Sequence, residues 1–155
     1  MPIQGRTPTR KEHFHVTWAP EGRRKLDGYV ALLGRILFGG YFLYSGIMHV
    51  IRFDALSQAA ANNGVPLAEL GVAASVILLV VGGLSILLGF KPRLLAWWPI
   101  LFLVPAAFFM HDFWTQTEAQ AVQLQTAMFL RNIALTGALL IIATIPRWPL
   151  SLGRS

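Results

Sequence analysis

Cysteine is absent from this chain of 155 residues, and charged side chains are scarce. Without cysteine the chain can form no disulfide, no thiolate metal site and no dithiol redox couple of its own. Any electron transfer would therefore need a bound cofactor, a quinone or a partner subunit. Charged residues make up 13% of the chain, whereas an average soluble domain has about 25%. This composition excludes an ordinary soluble domain.

Long apolar segments take the place of the missing charge. The chain is 55% hydrophobic, with a mean hydropathy of +0.56. A spanning helix needs about 20 mainly apolar residues, and four windows qualify: 29–50, 67–90, 94–110 and 124–145. The third is the shortest and contains Pro99 and Pro105, which membrane helices tolerate. The sequence predicts an all-α integral membrane protein, an antiparallel four-helix bundle.

The net charge of +6 is distributed unevenly along the chain. Most basic residues lie in the N-terminal segment, in the turn after the second window and in the C-terminal segment: Arg6, Arg10, Lys11, Arg23, Arg24, Lys25, Lys91, Arg93, Arg147 and Arg154. The two loops on the other side hold only Arg52, together with three acidic residues. This asymmetry is typical of the positive-inside rule and predicts that both termini are cytoplasmic. The basic charge therefore indicates membrane orientation, and no nucleic-acid partner is expected.

The chain divides into one domain and two tails. Residues 1–28 are polar and basic and predict a flexible cytoplasmic tail; 29–146 form the membrane domain, and 147–155 form a short cytoplasmic tail. No apolar region followed by a small-residue cleavage site precedes the first window, so a removable signal peptide is not expected. The loop segment 54–63 is rich in alanine and glutamine and predicts an interfacial helix that ends before Gly64.

Small residues mark the expected helix contacts. In the first window Arg35, Phe42 and His49 recur every seven residues, with Gly39 and Gly46 on the same side. The second window has Gly71, Ser75, Gly82 and Gly89 at spacings of four and seven. Such spacing lets helix backbones approach closely. Both stripes are therefore predicted to face protein rather than lipid.

Ionisable and amide side chains within the windows form what we call the polar cluster: His49, Glu69, His111, Asp112, Arg131 and Asn132. His49 ends the first window and Glu69 begins the second, while His111 and Asp112 end the third. Because successive helices alternate in direction, these groups are predicted to share one half of the bilayer. A charge in hydrocarbon costs several kcal/mol unless it is paired or hydrated, so the cluster is the best candidate for a functional site.

The histidines and carboxylates of the cluster have several interpretations. A bis-histidine haem is conceivable but is disfavoured against a hydrogen-bonded or proton-handling role for His49 and His111. No metal site is predicted. Glu69 also suits the start of a helix, where a carboxylate interacts favourably with the helix dipole. Asp112 is expected to be hydrated, to cap a helix or to pair with Arg52 or Arg131.

The two arginines within the windows, Arg35 and Arg131, have a high free-energy cost in the hydrocarbon of the bilayer. Arg131 lies about seven residues into its window, and either its guanidinium reaches the interface or it turns inward and pairs with Glu69 or Asp112. Arg35 lies in the opposite half, where the windows offer no acidic partner. We expect Arg35 to extend to the interface, although its spacing with His49 leaves an inward role open.

Two segments in particular resemble the DoxX family. These are Phe109-Met110-His111-Asp112-Phe113-Trp114 and Phe129-Leu130-Arg131-Asn132-Ile133-Ala134-Leu135. Similar, shorter matches are Leu33-Gly34-Arg35 with Phe42 and Ser45-Gly46, Asn63-Gly64-Val65-Pro66, and Gly82-Gly83 through Leu88-Gly89. The resemblance extends over 33–143, the whole membrane domain. Where the family often has lysine before the asparagine, this chain has Arg131, which keeps the charge.

The resemblance implies a fold more firmly than a reaction. Some relatives are the small membrane subunit of a thiosulfate:quinone oxidoreductase, and others are linked to membrane complexes that handle oxidative and thiol stress. It draws attention to His49, His111, Asp112, Arg131 and Asn132 and, as secondary candidates, to Arg35 and Ser45, without assigning a catalytic role. It also implies location in a bacterial or archaeal cell (inner) membrane. Beyond the lipid bilayer, it makes a protein partner subunit or a homo-oligomer an expected partner.

Two functional hypotheses follow. In the first, the protein is a quinone-linked subunit of a membrane redox complex: a quinone head group needs donors for its carbonyls and a route for protons, which imidazole, guanidinium and amide groups supply. Its apolar tail would lie beside Phe42, Phe108 and Phe109. In the second, the protein is a non-catalytic scaffold or assembly factor, and the polar cluster only holds the helices together. A transporter is less favoured, because no inverted repeat or broken helix is evident.

Overall fold

The computed structural model describes residues 21–145 and 148–151. Of the flexible tail expected over 1–28, residues 1–20 lie outside the described residues, as do 146–147 and 152–155, whereas 21–28 are helical. Within the described part the chain is all-α and contains α1 (Glu21–Ile51), α2 (Phe53–Asn62), α3 (Ala68–Leu88), α4 (Pro92–Leu95), α5 (Trp97–Met110) and α6 (Ala119–Thr144). A single 3₁₀ turn, Phe113–Thr115, precedes α6.

Four segments of the described residues are long and apolar enough to cross a membrane: Lys25–Ile51, Ala68–Leu88, Pro92–Thr115 and Ala119–Thr144. The prediction of a four-helix membrane protein is therefore confirmed. We call the end of the bundle that holds the start of α1 and residues 148–151 the terminal end, and the end that holds α2 and the 3₁₀ turn the loop end.

Helices α1 and α3 pack backbone against backbone. A Cβ atom built at Gly39 would lie 2.8 Å from the carbonyl oxygen of Gly83, and one built at Gly83 would lie 3.0 Å from the carbonyl oxygen of Gly39. At Gly46 an added Cβ would meet the Val80 side chain at 2.7 Å. The predicted stripe on α1 is thus a contact face. On α3 its partner is Gly83, whereas Gly82 packs against Pro99 of α5.

The core fills the space between these helices. It contains Phe42 of α1, Leu79 and Ile86 of α3, Ala96, Ile100 and Leu103 around α5, and Leu139 of α6. Many large apolar residues on the outside are exposed, as lipid-facing side chains must be. The bundle is therefore packed in its centre and apolar on its surface.

The third span is interrupted near the terminal end. Pro92 begins α4, and α5 begins again at Trp97 after Ala96. The 14 residues of α5 cover about 21 Å, short of the roughly 30 Å of hydrocarbon. The span reaches membrane length only with α4 and the 3₁₀ turn included. Because α5 is short, it ends at Met110, and His111 is its C-cap residue.

The interfacial helix predicted for the first loop is present as α2. It lies on α3 with Ser57 and Ala60 buried. The chain then turns through Gly64, at φ 75°, and Leu67, at φ 51°, before α3 begins. The backbone N–H groups of Gly64 and Val65 bond to the carbonyls of Ala61 and Ala60. This tight turn brings the start of α3 beside the end of α1.

Candidate functional site

A cavity of about 470 Å³ opens between α1, α3, α5 and α6 toward the loop end. This volume is in the range of sites for small organic ligands. Most of the lining is apolar, and the polar lining residues are Ser45, His49, Ser75, His111, Arg131 and Asn132. Four of the six residues of the polar cluster therefore border one cavity.

His49 is fixed at the cavity by a short chain of hydrogen bonds. Its Nδ1 atom lies 2.7 Å from the Ser75 hydroxyl oxygen, and that hydroxyl donates to the Val72 carbonyl at 2.6 Å. The imidazole also meets the ring of Phe102 edge-on, with 5.2 Å between the centroids. Ser75 and Val72 are both buried, so these bonds lie below the protein surface.

His111 lies on the other side of the cavity. It follows the last residue of α5, and its Nδ1 atom lies 3.0 Å from the side-chain oxygen of Gln125 on α6. The bond joins the end of the third span to the start of the fourth. Both histidines are thus held at Nδ1 by a neutral hydrogen-bonding partner.

Asn132 and Ser75 are the two buried polar residues among those that line the cavity. Asn132 is 3% exposed and lines the cavity from α6. The Thr136 hydroxyl bonds to its backbone carbonyl at 2.8 Å, but its side-chain amide has no hydrogen-bond partner among the described residues. Neither amide atom is fully enclosed by the surrounding protein. The amide is consequently available to a ligand in the cavity.

Arg131 lines the same cavity, although the residue as a whole is exposed. Within the described residues it forms no ion pair with Glu69 or Asp112. The inward pairing considered from the sequence is therefore corrected. The exposed position agrees with the other interpretation, in which the guanidinium reaches toward the interface.

The two carboxylates of the polar cluster lie away from the cavity. Asp112 accepts hydrogen bonds from the Thr115 hydroxyl at 2.6 Å and from the Gln116 amide at 3.3 Å. Glu69 is exposed at the start of α3 and borders a separate, open hollow with Asp54 and Ser57. Asp112 thus bonds to neighbours in its own turn, and Glu69 lies in the first turn of α3 at the loop end.

The matches to known proteins agree with this architecture. The DoxX family model matches residues 30–112. The chain belongs to the DoxX family. It is 30% identical to the inner membrane protein YphA of Escherichia coli (strain K12) over 123 residues, which cover 79% of this chain and 87% of YphA. No solved structure matches. Together with the four spans, the family and this relative identify a multi-pass inner-membrane protein.

Arg35 of this DoxX-family protein lies at the terminal end and is turned inward. Its side chain is 2% exposed and donates four hydrogen bonds to backbone carbonyls: Ile86 at 3.0 Å, Leu87 at 2.7 Å, Pro149 at 3.1 Å and Leu150 at 3.0 Å. Its guanidinium carbon also lies 5.8 Å from the centre of the Trp148 ring. The expectation that Arg35 extends to the interface is wrong.

The physical reason is the C-terminus of α3. The last carbonyls of a helix have no partner within the helix and carry partial negative charge. Arg35 supplies donors to two of them and joins α3 to the segment 148–151. The residue thus has a structural position far from the cavity.

The aromatic lining differs in part from the expectation. Phe42 and Phe109 border the cavity as predicted, and Tyr41 and Phe102 do so as well. Phe108 is 53% exposed and packs outside the cavity against Trp114 and Phe129.

Two polar contacts of the cavity were not predicted. Ser75 was interpreted only as a small packing residue, and Gln125 lies at the start of α6 with no sign of its role. To predict these two contacts, one would need to know how the helices are rotated about their axes relative to each other, and this rotation cannot be read from the sequence.

Proposed function

We propose that this DoxX-family protein binds a quinone-type ligand in the cavity at the loop end, as a subunit of a membrane redox complex. The observation that carries the proposal is the unpaired amide of Asn132 in a mainly apolar cavity of about 470 Å³. Ligand sites are characteristically apolar with a few placed polar groups. A quinone combines an apolar ring and tail with two polar oxygens, and so fits this lining.

Each polar group has a task in this proposal. The Asn132 amide hydrogen-bonds a ring oxygen, and the His49 and His111 imidazoles bond to the ligand or move protons near neutral pH. Phe42 and Phe102 offer ring faces and edges to the apolar ligand. Reduction of a quinone to a quinol takes up two electrons and two protons. Because this chain has no cysteine, a partner redox subunit supplies or receives the electrons.

The proposal predicts that Asn132→Leu weakens binding of ubiquinone-1 and ubiquinol-1 without unfolding the protein. Leucine has a similar volume but no hydrogen-bonding group, so the loss is about tenfold in Kd, the value of one hydrogen bond in an apolar site. Binding is measured by calorimetry on purified, monodisperse protein in detergent. The melting temperature should stay the same or rise, because an unpaired buried amide is removed.

The matched control is Gln123→Leu, which replaces an exposed amide on the same helix. It should leave the Kd unchanged. Equal affinity in wild type and Asn132→Leu would refute the role of the amide. If wild-type protein binds neither ligand form, while Asn132→Leu lowers the melting temperature, the scaffold hypothesis replaces this proposal.

A further inference from the structure

We infer that the cavity is built to accept hydrogen bonds from phenolic hydroxyl groups, so that it binds the quinol form of a quinone pair more tightly than the quinone. The inference rests on the proposed function, because it specifies the redox form of the ligand. The inference follows from which atom donates the proton in each hydrogen bond to the two histidines.

The Ser75 hydroxyl determines the tautomer of His49. The hydroxyl carries one proton and lies within hydrogen-bonding distance of both the Val72 carbonyl, at 2.6 Å, and His49 Nδ1, at 2.7 Å. A carbonyl oxygen can only accept, so the serine proton is given to Val72. Both bonds then exist only if Nδ1 donates to the serine oxygen. In a neutral imidazole this leaves Nε2 as an acceptor.

Burial keeps this arrangement in place. Ser75 is 3% exposed and Val72 is 8% exposed. In the opposite tautomer the serine proton would have to turn to Nδ1, and the hydroxyl bond to Val72 would be lost. One hydrogen bond therefore separates the two tautomers, a preference of about threefold to tenfold.

His111 presents the same pattern across the cavity. Its Nδ1 lies 3.0 Å from the Gln125 side-chain oxygen, and an amide oxygen can only accept. Nδ1 is again the donor and Nε2 the acceptor. Both imidazoles that line the cavity thus carry an acceptor at Nε2, whereas the Asn132 amide offers both a donor and an acceptor and does not discriminate. A quinol has two hydroxyl donors to match, and a quinone has none.

The test compares ubiquinol-1 with ubiquinone-1 by anaerobic calorimetry on the full-length protein in detergent. In wild type the quinol should bind about threefold to tenfold more tightly. Ser75→Ala removes the acceptor of His49 Nδ1, frees the tautomer of His49 and should lower this ratio, while His111, held by Gln125, keeps part of the preference. Ser85→Ala is the matched control, because Ser85 is also buried on α3 and donates to a carbonyl, that of Phe90 at 2.6 Å, away from the cavity.

A second measurement keeps the inference testable if Ser75→Ala does not fold. Nitrogen NMR of histidine-labelled wild type should show an unprotonated Nε2 for His49, identified by the signal that His49→Gln removes. A protonated Nε2 in neutral His49 would overturn the inference, and so would equal or tighter binding of the quinone. Those results would leave the proposed function intact. Failure of both forms to bind would overturn the proposed function as well.

Discussion

Replacing Arg35 should release the segment 148–151 from the bundle before the bundle itself unfolds. Arg35 donates to Ile86 and Leu87 at the end of α3 and to Pro149 and Leu150 in that segment. Arg35→Met keeps much of the apolar stem and removes every one of these donors. The loss of each of the four bonds has a different free-energy cost, which we consider in turn.

The largest loss is expected at Leu87. Ile86 keeps a second partner, the Gly89 N–H at 3.2 Å, and Pro149 and Leu150 are exposed, so water can hydrate their carbonyls. The Leu87 carbonyl loses its donor near the core, at about 1–3 kcal/mol. Removing a buried charge regains part of its desolvation energy. Both of these effects fall on the bundle, because Leu87 belongs to α3. Docking of the segment depends on the bonds to Pro149 and Leu150, and we expect their loss to cost about 1–2 kcal/mol in all, or roughly 5- to 30-fold in the opening equilibrium.

The assay uses the absence of native cysteine. With Ser151→Cys as the only thiol, the rate of maleimide labelling in detergent measures how often the segment opens, provided that closing is faster than labelling. Arg35→Met should raise the labelling rate by up to the factor expected for the opening equilibrium. Arg93→Met, an exposed arginine at the same end, should leave it unchanged. A rise below about threefold for Arg35→Met would refute the docking role derived from these distances.

Two further predictions concern packing and burial. Gly39→Ala should lower the melting temperature in detergent, because its Cβ would lie 2.8 Å from the Gly83 carbonyl oxygen, whereas Gly40→Ala, with no atom within 4 Å of its added Cβ, should not; equal melting temperatures would contradict backbone contact between α1 and α3. Ser57→Ala should stabilise the protein by about 1 kcal/mol, since the buried hydroxyl oxygen has no hydrogen-bond partner within the described residues; a loss of that size in chemical unfolding would indicate a bond that the structure lacks.

The apolar parts of the helices could be predicted closely from the sequence. The second window, 67–90, is α3 at Ala68–Leu88, and the fourth, 124–145, lies within α6 at Ala119–Thr144. The bilayer enforces this agreement, because backbone groups in hydrocarbon must bond within the helix. The starts of α1 and α6 were placed too late, because the polar residues by which these helices extend beyond the membrane are not marked by hydropathy.

Partners of polar side chains were harder to predict. For Arg35 the sequence showed that no acidic residue was near. Its partners are backbone carbonyls, and because every residue has one, the sequence does not indicate which of them bind the guanidinium. Asp112 likewise found local partners in Thr115 and Gln116 rather than a distant arginine. Depth in the membrane follows from position along the chain, whereas the choice of partner depends on how the helices rotate about their axes.

The length of α1 has a consequence for whatever precedes it. The helix starts at Glu21, eight residues before the first apolar window at Tyr29, and those residues add about 12 Å of rigid rod. Lys25, Leu26 and Asp27 on this extension are exposed. This length exceeds the roughly 5–8 Å of one lipid head-group layer, so the described start of α1 extends beyond the membrane surface. A soluble protein could therefore contact this end of the helix without touching the bilayer.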